Sequence, residues 1–155
     1  AILALGLWNP PPGQGQSICL EDGAGLGPAA LSSFEREFRE LLPGWTVKGC
    51  GGDSVRVSIR FDPPARYRSA LGLAQTNKER VLPCIELYVN PLLRLLGGVR
   101  APAIVGRALA RVAAHEVAHY ALQLREHHSN GLLRPGFRSA QLLEQSSASF
   151  TLPPP

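Results

Sequence analysis

The stretch "AAHEVAHYALQLREHH", residues 113–128, carries all four histidines of this 155-residue chain. Two of them, His115 and His119, bracket a glutamate as His-Glu-x-x-His. On a helix, residues four apart share a face, with side-chain roots about 6 Å apart. Both imidazoles can then reach one Zn²⁺ at about 2.0–2.1 Å. Glu116, one position past the first ligand, points to the side, where a carboxylate can take a proton from a water acidified by the metal. The preceding "RALARVAA" (107–114) makes an apolar helix stripe fit for burial, so the motif would sit on a rigid element. Against the metal reading stands a plainer one, a surface helix or helical interaction protein whose histidines fall at this spacing by coincidence.

A hydrolytic site needs a third protein ligand and an open fourth position. His127 and His128 are the nearest candidates. At 1.5 Å rise per residue, a helix continued from His119 would carry His127 about 12 Å away. The chain must therefore break and fold back, yet "YALQLRE" (120–126) contains no Gly or Pro, and every residue in it tolerates helix. If the helix ran on to Asn130, neither late histidine could ligate. Glu144, on a short helix begun at "SAQLLEQ" (139–145) and capped by Ser139, would then be the best carboxylate.

Outward from this stretch, the pattern is that of one domain. The apolar fraction is 45% and the charged fraction 18%, which excludes a disordered chain. Net charge is +4, carried mainly by 14 Arg beside 2 Lys. The arginines are scattered and not interleaved with aromatics, which argues against a nucleic-acid binder. "SICLE" (17–21) reads as a strand. From Ala29 to Leu42, Leu31, Phe34, Phe38, Leu41 and Leu42 recur at helical spacing, with Glu35, Arg36, Glu37, Arg39 and Glu40 on the other face. Pro43-Gly44 stops that helix. "WTVKGC" (45–50) and "SVRVSIRF" (54–61) read as strands, the second with Val55, Val57, Ile59 and Phe61 on one buried face. Residues 62–80 read as a long loop. "VLPCIELYVN" (81–90) reads as a strand whose Pro83 suggests a sheet edge, followed by a helical turn at 91–96 and the long helix over 101–126, with Pro102 at its start. Strands early and the main helix late predict an α+β fold, a small mixed β-sheet backed by two main helices.

Residues 1–12 open with the apolar "AILALGLW" and a Pro-rich run. They are expected to be the remnant of a secretory signal with a linker, and the absence of any methionine leads to the expectation of a fragment, a processed form or an incomplete gene product. Residues 13–147 form the expected domain and 148–155 a flexible tail. Cysteines 19, 50 and 84 allow at most one internal disulfide, in a pairing that the sequence leaves open.

The segment "HEVAHYALQLREHHSNGLLRP" resembles the metal-binding segment of metzincin-type, matrixin-like zinc peptidases, most of all their small secreted bacterial members. The specific likeness covers about residues 105–137. A fainter one extends from residue 17 through "ICLEDGAGLGPAAL", "FEREF", "WTVKGC" and "ALGLA". The resemblance implies a metzincin-like fold, with His115, His119 and His127 as Zn²⁺ ligands and Glu116 as general base; His128 and Glu144 are the alternative ligands. It implies an edge strand that pairs with extended substrate, here "CIELYV", with Tyr88 near the cleft. The partner would be a polypeptide substrate, with no nucleic acid, no membrane in the mature form, a monomeric state and a secreted or periplasmic location. Three positions depart from the family pattern. Gln123 stands where a Gly ends the metal helix, Ala118 replaces a Gly inside the motif, and Leu133 replaces the Met of the turn beneath the metal. A left-handed residue costs more for Gln than for Gly, so a catalytically weakened zinc-binding module is the alternative reading. Tyr120 and Arg134 are expected to pack or cap locally.

Overall fold

The computed structural model describes residues 16–151, so the signal and linker expected over 1–12 lie outside the described residues. Five strands form one mixed sheet: β1 (Ser17–Asp22), β2 (Thr46–Lys48), β3 (Val55–Arg60), β4 (Gly72–Thr76) and β5 (Val81–Tyr88). Their order is β2-β1-β3-β5-β4, all parallel except β4, which runs antiparallel to β5 at one edge. Two long helices, α1 (Pro28–Leu41) and α3 (Pro102–Leu122), back the sheet, while α2 (Val89–Leu95) and α4 (Ser139–Leu143) are short. The α+β class with a mixed sheet and two main helices is therefore the observed one.

The helix-facing side of the sheet is apolar. Ile18, Val55, Val57, Ile59, Ile85 and Leu87 are all essentially inaccessible to solvent, as strict alternation along a one-sided strand requires. Phe61 does not join them: β3 ends at Arg60, and Phe61 is 53% exposed. The opposite side carries the ion pairs Arg56–Glu21 and Arg60–Glu86. Against the apolar side lie Phe34 and Phe38 of α1, stacked at 5.9 Å, and Leu109, Val112, Ala113 and Val117 of α3. The two helices cross closely at Gly106, where a Cβ would lie 2.1 Å from the Ala30 carbonyl oxygen.

Several expectations are corrected. The stretch 62–80 is not all loop, because it contains β4. That strand escapes pattern recognition because its helix-facing positions, Gly72 and Ala74, must be small: a Cβ on Gly72 would sit 2.8 Å from Val112 Cγ1 and 3.3 Å from Glu116 Cγ. The edge strand is therefore β4, and "CIELYV" lies within the sheet, between β3 and β4. Pro83 is tolerated there because pairing with β3 begins at Cys84, and pairing with β4 is irregular between Ala74 and Thr76; no regular ladder bond is asked of it. Glu37, grouped with the polar face of α1, is buried against Arg111, which is itself 0% exposed. The Arg111 guanidinium donates to Glu37 Oε1 and to the carbonyls of Gln141, Leu142 and Ser146, and lies over the Phe150 ring. Each guanidinium nitrogen thus has an acceptor, the condition for burying such a charge. It also fastens the C-terminal segment beneath α3. Residues 148–151 are accordingly not a loose tail, since Phe150 is buried and the Thr151 carbonyl accepts from Leu132 N–H at 2.8 Å. Ser139 is the first residue of α4 and not its cap. Arg138 holds the cap position, its N–H donating to Gln141 Oε1.

Cys19 and Cys50 form a disulfide that ties β1 to the loop after β2, and Cys84 is a free, half-buried thiol. Among the described residues no helix is long and apolar enough to cross a membrane.

Candidate metal centre

Helix α3 stops at Leu122, three residues past His119. Gln123 is the one non-glycine residue with positive φ among the described residues (φ 50°, ψ 38°). Its N–H donates to the Tyr120 carbonyl and the Leu124 N–H to the His119 carbonyl, the paired bonds of a Schellman helix end. A left-handed residue other than Gly costs about 1–2 kcal/mol. The Gln123 carboxamide offsets that cost. Its Oε1 accepts from Val81 N–H at 3.0 Å, and its Nε2 donates to the carbonyls of Val81 (3.0 Å) and Tyr120 (2.7 Å). At about 0.5–1.5 kcal/mol per bond, three such bonds outweigh the strain. Two residues on, Arg125 Nη2 donates to the Asn77 carbonyl at 2.6 Å. The exit of α3 is thereby laced to both arms of the β4–β5 hairpin.

The chain that turns back brings His127 to the two helical histidines. His115, His119 and His127 each present a ligand nitrogen, and these atoms lie within 4.8 Å of one another. The His127 ring stacks on His115 (centroids 5.3 Å, 17°) and meets His119 edge-on (4.9 Å, 84°). Of the alternatives, His128 is outside the cluster and exposed. Glu144 ends α4 and accepts from Ser149 Oγ.

Tautomers follow from the partners. His115 Nδ1 lies 2.7 Å from the Leu132 carbonyl oxygen and His119 Nδ1 2.6 Å from that of Leu124. A carbonyl only accepts, so each Nδ1 carries the proton. Burial lowers the pKa of both rings, that of His115 to about 4, and so favours neutral imidazoles with bare Nε2 lone pairs. Those two nitrogens face each other at 3.1 Å. Two bare lone pairs at that separation repel unless a cation lies between them, and tetrahedral Zn²⁺ ligands at about 2.05 Å stand about 3.3 Å apart. The donor set thus fits a metal ion. Both outer partners are backbone carbonyls of the returning chain, the arrangement that fixes ligand orientation in metal sites.

Glu116 lines the same cleft. Its Oε2 accepts from Ala74 N–H of β4 at 3.1 Å. Burial raises its pKa to about 7, with the Ala74 hydrogen bond opposing; a cation on the histidines would pull it down again. The cleft holds about 1000 Å³ and runs between β4 and the segment Pro135–Phe137, where Phe137 meets the His115 ring edge-on. Leu133, at the position of the turn Met, is fully buried. Gly131 takes φ 73° where a side chain would strike the Thr151 carbonyl, and Arg134 Nε donates back to the Gly131 carbonyl. Tyr120 is packed in the core. Tyr88 is not a cleft residue. It is fully buried, its hydroxyl donates to Glu86 Oε2 at 2.6 Å, and burial with that carboxylate raises its pKa.

Three features of the site are not evident from the sequence pattern: the Ala74 N–H, the need for glycine at 72, and the use of the Gln123 amide. The "LGLA" run, with small residues at alternate positions, is the one signal that could have exposed the first two. No protein-family model matches this chain, and comparison with curated proteins finds no match either.

Proposed function

We propose that this protein is an exported, zinc-dependent endopeptidase of metzincin-like architecture, acting on extended polypeptides. The observation that carries the reading is a three-histidine cluster and a half-buried glutamate in one cleft, beside the edge of a β-sheet. Three imidazoles suit Zn²⁺ and leave a fourth position for substrate or water. The Cys19–Cys50 disulfide is compatible with a secreted or periplasmic location.

A Zn²⁺ ion held by His115, His119 and His127 would acidify a water and polarise the scissile carbonyl. Glu116 takes up the proton and returns it to the leaving amine; burial raises its pKa, and a cation on the histidines would lower it and keep the carboxylate able to accept. The Ala74 N–H fixes one carboxylate oxygen while the other stays free for that transfer. The outer side of β4 offers backbone groups to a substrate strand, so binding would extend the sheet. The weakened-module alternative drew on the altered helix end and turn. Both are repaired locally here, by the Gln123 amide and the buried Leu133, which favours the enzyme.

The test is zinc per chain in the parent and in His127→Ala, with cleavage of a peptide library by the parent and by Glu116→Gln. One zinc in the parent, a large loss in His127→Ala, and a silent but zinc-loaded Glu116→Gln are expected. A parent that takes up no zinc, or a Glu116→Gln variant as active as the parent, would refute the reading.

A further inference from the structure

The charge lining the cleft is one-sided. Arg68, Arg94 and Arg125 border it, and among the described residues Glu116 is the one carboxylate that does, with an oxygen already engaged by Ala74 N–H. Arg125 belongs to the Thr76 end of β4, where its guanidinium is committed to the Asn77 carbonyl. Arg68 and Arg94 belong to the opposite end. Arg68 stands four residues before Gly72, and Arg94 projects from α2 to within 3.5 Å of the Arg68 carbonyl oxygen. Both are exposed. Among the described residues every ion-paired arginine is another one: Arg39, Arg56, Arg60 and Arg111. Two cationic forks, ten N–H donors between them, therefore border the partly apolar end formed by Leu71, Pro91 and Leu95 without a carboxylate of their own.

We propose that the Arg68–Arg94 end of the cleft is a carboxylate subsite, so that the preferred ligand is a peptide presenting a carboxylate beyond the Gly72 end of β4. An acidic side chain and a free C-terminus offer the same chemistry to a guanidinium. Long-range attraction by the unpaired arginines also raises the encounter rate of acidic chains. The inference rests on the reading of this cleft as a peptide site, but not on catalysis.

The test uses zinc-loaded Glu116→Gln, which binds without turnover, and fluorescence anisotropy of dye-labelled octapeptides of Ala, Gly and Leu. In one series a single Glu is walked along C-terminally amidated peptides, with Gln controls. In the second the Gln peptides carry a free C-terminus and are shortened residue by residue. At one or two adjacent positions a carboxylate should tighten binding roughly tenfold, about 1.4 kcal/mol. The series that shows the gain identifies the source. Adding Arg68→Gln and Arg94→Gln should remove the gain, Arg94→Lys should retain part of it, and it should shrink with salt as the Debye length falls from about 10 Å at 0.1 M to about 3 Å at 1 M. Equal binding of charged and uncharged peptides in both series, or a gain that survives both Gln substitutions, would overturn the subsite. Cleavage by the parent is scored separately. Carboxylate-selective binding without cleavage refutes the peptidase and keeps the subsite; cleavage indifferent to charge does the reverse.

Discussion

The histidines on α3 and the histidine on the returning chain reach one point by different means. His115 and His119 are placed by a 21-residue helix whose apolar face is buried against the sheet and α1. Their separation is a property of helical geometry and would survive most changes elsewhere. His127 is exposed and lies in a stretch without regular structure, between Gln123 and Gly131. It is held by a left-handed residue, a side-chain amide bonded to a strand, and Arg125 on the Asn77 carbonyl. The helical half rests on periodicity and burial. The returning half rests on a few hydrogen bonds, each of which can be removed singly.

The largest effect should fall on the helical half. Glu116→Gln removes the proposed proton carrier and should cut kcat/KM by about 10²–10⁴-fold while zinc content stays at the parent value, as elemental analysis beside initial rates would show. On the returning half, His127→Ala should weaken zinc binding by more than the roughly 10–100-fold typical of losing an outer partner, with the fold unchanged by circular dichroism. A chelator titration would measure it, and undiminished affinity would mean that the loop histidine is not a ligand.

Gln123 sharpens the contrast further. Gln123→Gly relieves about 1–2 kcal/mol of left-handed strain but removes three bonds worth about 0.5–1.5 kcal/mol each and leaves the Val81 amide without its partner. We expect a net loss of about 1–2 kcal/mol in urea unfolding and a measurable fall in zinc affinity, with Gln123→Ala worse on both counts. If Gly proved as good as Gln, the amide would be incidental. Gly72→Ala tests the wall shared by both halves. The new Cβ would meet Val112 Cγ1 at 2.8 Å and should cost about 1–3 kcal/mol, with a greater proportional loss in rate than in stability because β4 carries the Ala74 N–H.

The smallest effect concerns pH in the metal-free protein. His115, lowered to about 4, contributes stability that is lost as pH falls from about 6.5 through 4, because the unfolded chain takes the proton first. Glu116, raised to about 7, acts oppositely: its contribution is full below about 4.5 and is lost as pH rises through 7. His119, lowered by burial as well, adds to the His115 loss, so the Glu116 gain offsets it only in part and the thermal midpoint of the chelated parent should fall modestly from pH 7 to 4.5. Metal-free Glu116→Gln, without the offset, should fall more steeply on acidification, and a flat profile there would contradict the buried, neutral state of the two helical histidines.

How much was legible in the sequence follows the same division. The helix over 29–42, the strand read at 54–61 (Phe61 excepted) and the histidine spacing were readable because a repeating pattern reports a buried face at every turn or every second residue. Strand β4 was not readable, because Gly72 and Ala74 are small for the sake of a neighbour that only the fold supplies. The edge was misassigned because Pro83 is excused from the ladder by an irregular register, which is a property of two strands together. Glu37 read as part of the polar face of its helix, and only the tertiary structure buries it against Arg111.

By itself, then, the sequence determined the α+β class, the two main helices and the presentation of His115, Glu116 and His119 on a single helix, since those depend on periods of 2 and 3.6 within one segment. Where α3 ends was decided by the tertiary structure. "YALQLRE" has no intrinsic stop, and Gln123 becomes one only because Val81 lies within reach of its amide. That one contact, between residues 42 apart in sequence, turns the chain back and joins His127 to the pair on the helix.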